Sequence, residues 1–129
     1  MSPCRTALIY SPLFGTFNYG ENHPFKLQRN RLAYDLMGAY GLLGLPHMQI
    51  CDCLPASDEL LLSFHDPAYI ARLKEFSASG EARADFRFGL GDAECPVFAG
   101  LYDYAALGAG ATFEAVRLVE EEGFDIASI

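Results

Sequence analysis

Short apolar runs alternate with amphipathic stretches along this chain, and the two periods predict strands and helices in turn. Thr6-Ala-Leu-Ile-Tyr10 is an apolar run closed by Ser11-Pro12, which predicts a short buried strand. Residues 14–23 carry Gly15, Asn18, Gly20 and Asn22, a loop by composition, but Phe17 and Tyr19 within it predict that the loop packs on something. From Pro24 to residue 40 the period becomes helical, with Phe25, Leu32, Leu36, Tyr40 and Leu43 on one face. Arg29 falls inside that apolar stripe. Either its stem is buried with the guanidinium in water, or the guanidinium itself is buried and faces a polar pocket.

Gly44 and Pro46 end this region, and residues 48–54 alternate as a second strand, with Ile50, Asp52 and Leu54 on one side and Cys51 and Cys53 on the other. Ser57 followed by Asp58 and Glu59 marks a helix start, a hydroxyl cap with acids in the positive first turn. Asp66-Pro67 restarts the helix, whose inner face is Tyr69, Ile70, Leu73 and Phe76. Residues 77–94 lack any sustained period, although Phe86 and Phe88 argue against full disorder. Pro96 suits the first turn of a long helix reaching residue 122, where Gly100, Gly108 and Gly110 lie among alanines. An interior glycine costs about 1 kcal/mol against alanine, so these glycines predict a close approach to another backbone. Glu120, Glu121 and Glu122 crowd the negative end of that helix, Gly123 is its expected cap, and residues 124–127 begin a third strand. This order predicts an α/β architecture, a short parallel sheet with helices packed on it.

Composition narrows the function classes. The chain has 129 residues, about half of them hydrophobic, enough for one domain with a real core. Its formal net charge of -8, without a basic block, argues against nucleic acid and against an anionic membrane surface as partners. The N-terminus does not resemble a signal peptide and no apolar run reaches spanning length, so a cytoplasmic location is expected, with Cys4, Cys51, Cys53 and Cys95 as free thiols.

Few residues are arranged for chemistry. His47, Cys51 and Cys53 lack the paired spacing of a structural zinc site, so the cysteines are expected as small buried hydrophobes. His23 and His65 are isolated in sequence, and Gly89-Leu-Gly91 lacks the third glycine of a nucleotide fingerprint. In the loop Phe88-Gly-Leu-Gly-Asp-Ala-Glu-Cys-Pro-Val-Phe98, Asp92 and Glu94 are solvated charges, acceptors of N–H bonds or a general acid/base pair.

Several segments in order give the chain a family likeness. Asn18-Tyr-Gly-x-x-His-Pro-Phe25 with Arg29 after it, Phe64-His-Asp-Pro-Ala-Tyr-Ile70 and Gly89-Leu-Gly-Asp-Ala-Glu-Cys-Pro-Val-Phe98 resemble the N-terminal portion of the zinc-dependent histone deacetylases, including their bacterial acetoin-utilisation and acetylpolyamine relatives. Leu101-Tyr-Asp-Tyr-Ala105 and Gly108-Ala-Gly-Ala-Thr112 extend the match, which covers nearly the whole chain. The resemblance implies part of a three-layer arginase/deacetylase-type α/β fold, with residues 1–129 as the N-terminal portion of one domain. It implies that Glu94, and more weakly Asp92, bind the substrate backbone at the active-site rim. Arg29 is implied to be buried in an internal channel beneath the metal, with Tyr19 and Phe25 near it, and the substrate to be an acetylated lysine or amine.

The chain also departs from the family pattern. The Gly-Gly-x-His-His segment with its paired catalytic histidines, the zinc-ligating Asp-x-His pair and further Asp, and the catalytic tyrosine do not occur in it. Family chemistry uses zinc to activate water and a histidine as general base, so these residues alone are expected to bind no zinc and hydrolyse no amide. The alternative expectation is a non-catalytic binding module that dimerises through the exposed edge of its unfinished sheet.

Overall fold

The apolar run at residues 6–10 becomes β1 (Thr6–Ile9), the middle strand of a three-stranded, all-parallel sheet ordered β2-β1-β3. This is a computed structural model that describes residues 4–129, so residues 1–3 of the stretch weighed as a leader lie outside it. β2 (Met48–Cys51) and β3 (Ile126–Ser128) flank β1, with Thr6 opposite both Met48 and Ile126. Parallel neighbours need crossovers, and helices supply them: α1 (Gln28–Ala39), α2 (Asp58–Leu62), α3 (Pro67–Ser79) and α4 (Leu101–Glu122). The result is the expected α/β class, helices packed on a short parallel sheet.

Strand alternation sends Ala7 and Ile9 to one face, where they join Cys53, Leu107, Ala111, Leu118 and Phe124 in the main core. A second core sits between α3 and the start of α4, built from Leu73, Phe76, Leu90 and Leu101. The expected inner face of α3 is borne out, with Ile70, Leu73 and Phe76 all buried. Ser57 caps α2 by accepting from the Leu60 N–H, and Asp66 caps α3 by accepting from the Ala68 N–H. Cys53 is buried and Cys51 half-buried, and burial pushes both thiols above their ordinary range, which makes them poor nucleophiles.

The predicted backbone contact of α4 occurs at Gly110, where a Cβ would lie 1.9 Å from the Leu54 carbonyl oxygen. There the loop after β2 runs against the helix, and the Ala56 N–H donates to the Ala106 carbonyl at 2.8 Å. The acidic C-terminus of α4 is offset by cations: Arg117 pairs with Glu114 and Glu122, and Arg5 donates to the Glu122 and Gly123 carbonyls.

Four boundaries and one face differ from expectation, the simplest being β3, which starts at Ile126 rather than at residue 124. α1 begins at Gln28 rather than Pro24, and the chain enters it through two tight i→i+3 bonds, the Arg29 and Asn30 N–H groups donating to the carbonyls of Lys26 and Leu27. α4 begins at Leu101 rather than Pro96, where Gly100 turns left-handed (φ 83°) and the buried Ser77 of α3 accepts the Tyr102 N–H at 2.9 Å. β2 stops at Cys51, leaving Leu54 exposed, because the chain turns off the sheet to meet Gly110. Finally, the Leu32, Leu36 and Tyr40 stripe of α1 faces outward, 57–75% exposed. The helix turns inward through Tyr34 instead, whose ring stacks on that of Tyr10, just after β1, at 3.8 Å with 8° between planes. Among the described residues no helix is long and apolar enough to cross a membrane.

Candidate functional site

The turn-rich loop before α1 and the acidic loop before α4, distant in sequence, meet around Tyr19. Its ring contacts Phe25 edge-on at 5.4 Å, Phe98 at 4.9 Å and Tyr104 of α4 edge-on at 5.7 Å. The loop aromatics therefore do pack, as their presence in a polar stretch predicts. Burial raises the Tyr19 phenol, with Cys95 adding to the effect, and burial raises Tyr104 with Tyr19 adding. Both phenols stay protonated at neutral pH and can act as donors.

The acidic loop is built from turns. Asp85 and Leu90 exchange backbone hydrogen bonds, and the Asp85 side chain accepts from Arg87 and faces Arg72 at 3.1 Å. Arg87, then the nearby guanidinium of Arg72, holds the Asp85 carboxyl below the usual carboxylate range. Gly91 adopts φ 90° with Arg83 and Ala84 so close that any Cβ would overlap the Arg83 carbonyl. Asp92 Oδ1 then accepts from the Glu94 N–H at 2.9 Å and the Cys95 N–H at 2.6 Å. Asp92 thus folds the loop, whereas the Glu94 carboxylate is exposed and has no hydrogen-bond donor among the described residues.

Glu94 and Tyr19 line the same cavity of about 330 Å³, with Tyr69, Leu73, Phe88 and Leu90 as its apolar wall. An acceptor at the rim and an aromatic wall behind it suit an extended peptide or amine carrying an apolar arm. A larger hollow of about 770 Å³ lies elsewhere, beside Gly110 and the end of β2, and is bordered by Asp52, Glu59 and Glu114. Glu114 there is committed to Arg117 at 2.8 Å.

The predicted residues are therefore only partly united. Tyr19 and Glu94 share the cavity, Phe25 touches Tyr19, and Arg29 lies beyond Phe25 with its guanidinium carbon 5.9 Å from that ring. Arg29 is exposed, against the expectation of burial, because the α1 face that carries it turns outward. Three contributors were not singled out for this site from the sequence. Tyr69 and Phe88 form the wall, and His23, isolated in sequence, reaches the Glu94 carbonyl. The His-Pro step before Phe25 was the available signal for His23.

Among the described residues no group of three or more His, Cys, Asp or Glu side chains could hold a metal ion. The exposed His47 stands apart from Cys53, which is packed into the core. The residues present do not fit the zinc that the family resemblance implies.

A model of the histone deacetylase domain matches residues 23–128. The chain is 37% identical over 126 residues to histone deacetylase 2 of Oryza sativa subsp. japonica, covering 95% of this chain and 25% of that protein. It is 32% identical over 126 residues to histone deacetylase RPD3 of Saccharomyces cerevisiae, covering 95% and 28%. It is also 32% identical over 128 residues to histone deacetylase B of Dictyostelium discoideum, covering 98% and 30%. The chain thus spans between a quarter and a third of the length of these curated relatives, and with a domain match over most of its residues it belongs to the histone deacetylase family.

Proposed function

We propose that these residues form the substrate-side wall of a zinc-dependent deacetylase site, which removes acetyl groups from lysine or amine substrates only together with residues outside this sequence. The observation that carries the reading is the Glu94 carboxylate, which has no donor among the described residues and lines the rim of an aromatic-walled cavity. A carboxylate so placed accepts backbone N–H groups of a bound peptide, in bonds strengthened by its charge. Tyr19, Phe88 and Tyr69 give the acyl-lysine arm an apolar surface to lie on. Phe25 and Arg29 extend that surface away from the rim, toward the internal channel of the complete domain. The four cysteines are unpaired, which suits a reducing compartment such as the cytoplasm.

The test is calorimetric titration of the chain with an acetyl-lysine peptide, beside a Glu94→Ala variant. Loss of one charge-assisted hydrogen bond should weaken binding about tenfold or more. Equal affinity of the two proteins would sink the rim assignment. Stoichiometric zinc and peptide deacetylation by the pure chain would overturn the dependence on residues outside it.

A second reading is favoured by the sheet. Among the described residues β3 pairs with β1 alone, so its outer edge is open to a second copy of the chain. A binding module that dimerises there would need no catalysis of its own.

A further inference from the structure

Glu94 can act as a rim acceptor only if its backbone is held, and resting on that reading, the geometry points to His23 as the residue that holds it. His23 Nε2 lies 3.3 Å from the Glu94 carbonyl oxygen, across 71 positions of sequence. Among the described residues this is the only hydrogen bond tying residues 92–95 to a distant part of the chain, since the others are donated and accepted within residues 91–95. On its other side the imidazole Nδ1 accepts the Phe25 N–H at 3.1 Å. Pro24 has no N–H, so Phe25 is the first backbone donor that follows the histidine.

Both partners have fixed polarity, and this decides the tautomer. An amide N–H only donates, so Nδ1 must carry a lone pair, and a carbonyl only accepts, so Nε2 must carry the proton. The neutral Nε2–H imidazole is the one form that satisfies both ends. Tyr19 limits its swing, with ring centroids 4.9 Å apart and 31° between planes. The peptide groups on either side of Glu94 are then pinned, the N–H by Asp92 and the carbonyl by His23, while the carboxylate stays free. His23 is a positioning residue. It joins the loop that carries Tyr19 to the loop that carries Glu94 and so sets the width of the cavity mouth.

The test needs no catalysis. In the isotopically labelled full chain at mildly alkaline pH, long-range proton–nitrogen correlation should give His23 Nδ1 a pyridine-type shift and Nε2 a pyrrole-type shift. The opposite tautomer would overturn the proposal without any substitution. His23→Leu should displace the Glu94 and Cys95 amide resonances and weaken acetyl-lysine peptide binding roughly tenfold. His23→Gln, which keeps one acceptor and one donor, should recover most of both. Unmoved resonances in a folded His23→Leu chain would also overturn the strut. If instead Glu94→Ala leaves peptide binding unchanged, the rim reading fails and the tautomer measurement still decides the strut.

Discussion

Two glycines of α4, two positions apart, should respond oppositely to the same methyl group. At Gly110 a Cβ would lie 1.9 Å from the Leu54 carbonyl oxygen and 2.8 Å from the Ala56 nitrogen, both backbone atoms that cannot swing aside. Gly110→Ala should therefore cost about 1–3 kcal/mol, as overpacking does, and outweigh its gain in helix propensity. At Gly108 nothing lies within 4 Å of the added carbon, so Gly108→Ala should stabilise by up to about 1 kcal/mol. Urea unfolding of the two variants checks both signs, and a stabilised Gly110→Ala would deny the backbone contact. The sequence announced that some glycine must be a contact, because a glycine inside a helix costs stability against alanine without one. It could not say which glycine, since the partner is a carbonyl in a loop more than fifty positions away. The same limit hid His23, whose partner is a backbone oxygen and so leaves no pattern of side-chain types to read.

At the scale of elements, caps inside one segment were legible and caps supplied from another were not. Ser57 and Asp66 cap the helices that directly follow them, as their types predict. α4 is capped across space by Ser77 of α3, which is why its start lies five residues beyond Pro96. Ser77→Ala should cost about 1 kcal/mol, read as a lower urea midpoint with an unchanged slope. The buried face of α1 departs from the expected one for a related reason. Its period allows either the Leu32–Leu36–Tyr40 side or the side bearing Tyr34, and the stack on Tyr10 decides between them. The acidic loop adds a pH dependence. Hydrogen bonds from Arg87, with the charge of Arg72 behind them, lower the folded-state pKa of Asp85. A depressed carboxyl stabilises the fold above its unfolded value, about 3.9, and that contribution is lost as pH falls through the folded value. Stability profiles of the parent chain and Asp85→Asn should therefore converge as the pH drops into this acid range and separate above it. Profiles that stay parallel throughout would rule out the Asp85 anchor.

At the scale of the whole molecule, β3 is paired on one side only among the described residues. Ile126 donates to the Arg5 carbonyl on the β1 side, and strand alternation turns the next N–H, that of Ala127, toward the free edge. Ile126 itself is 52% exposed, so the edge is apolar as well as unpaired. Natural edges are commonly blunted by charge or proline, and neither residue type occurs in Ile126–Ser128. Pairing of two copies through β3 would satisfy both edges with one two-fold contact. Opposing it is the net charge of -8 on each copy, a repulsion that salt screens over about 10 Å at 0.1 M. Light scattering should therefore find a dimer whose population rises with both protein concentration and added salt. Ile126→Lys places a charge on the edge strand without removing a bond to β1, and should return the chain to a monomer with unchanged helix content. A monomer at every salt concentration would exclude the edge as a dimer contact and leave the deacetylase wall as the reading that accounts for these residues.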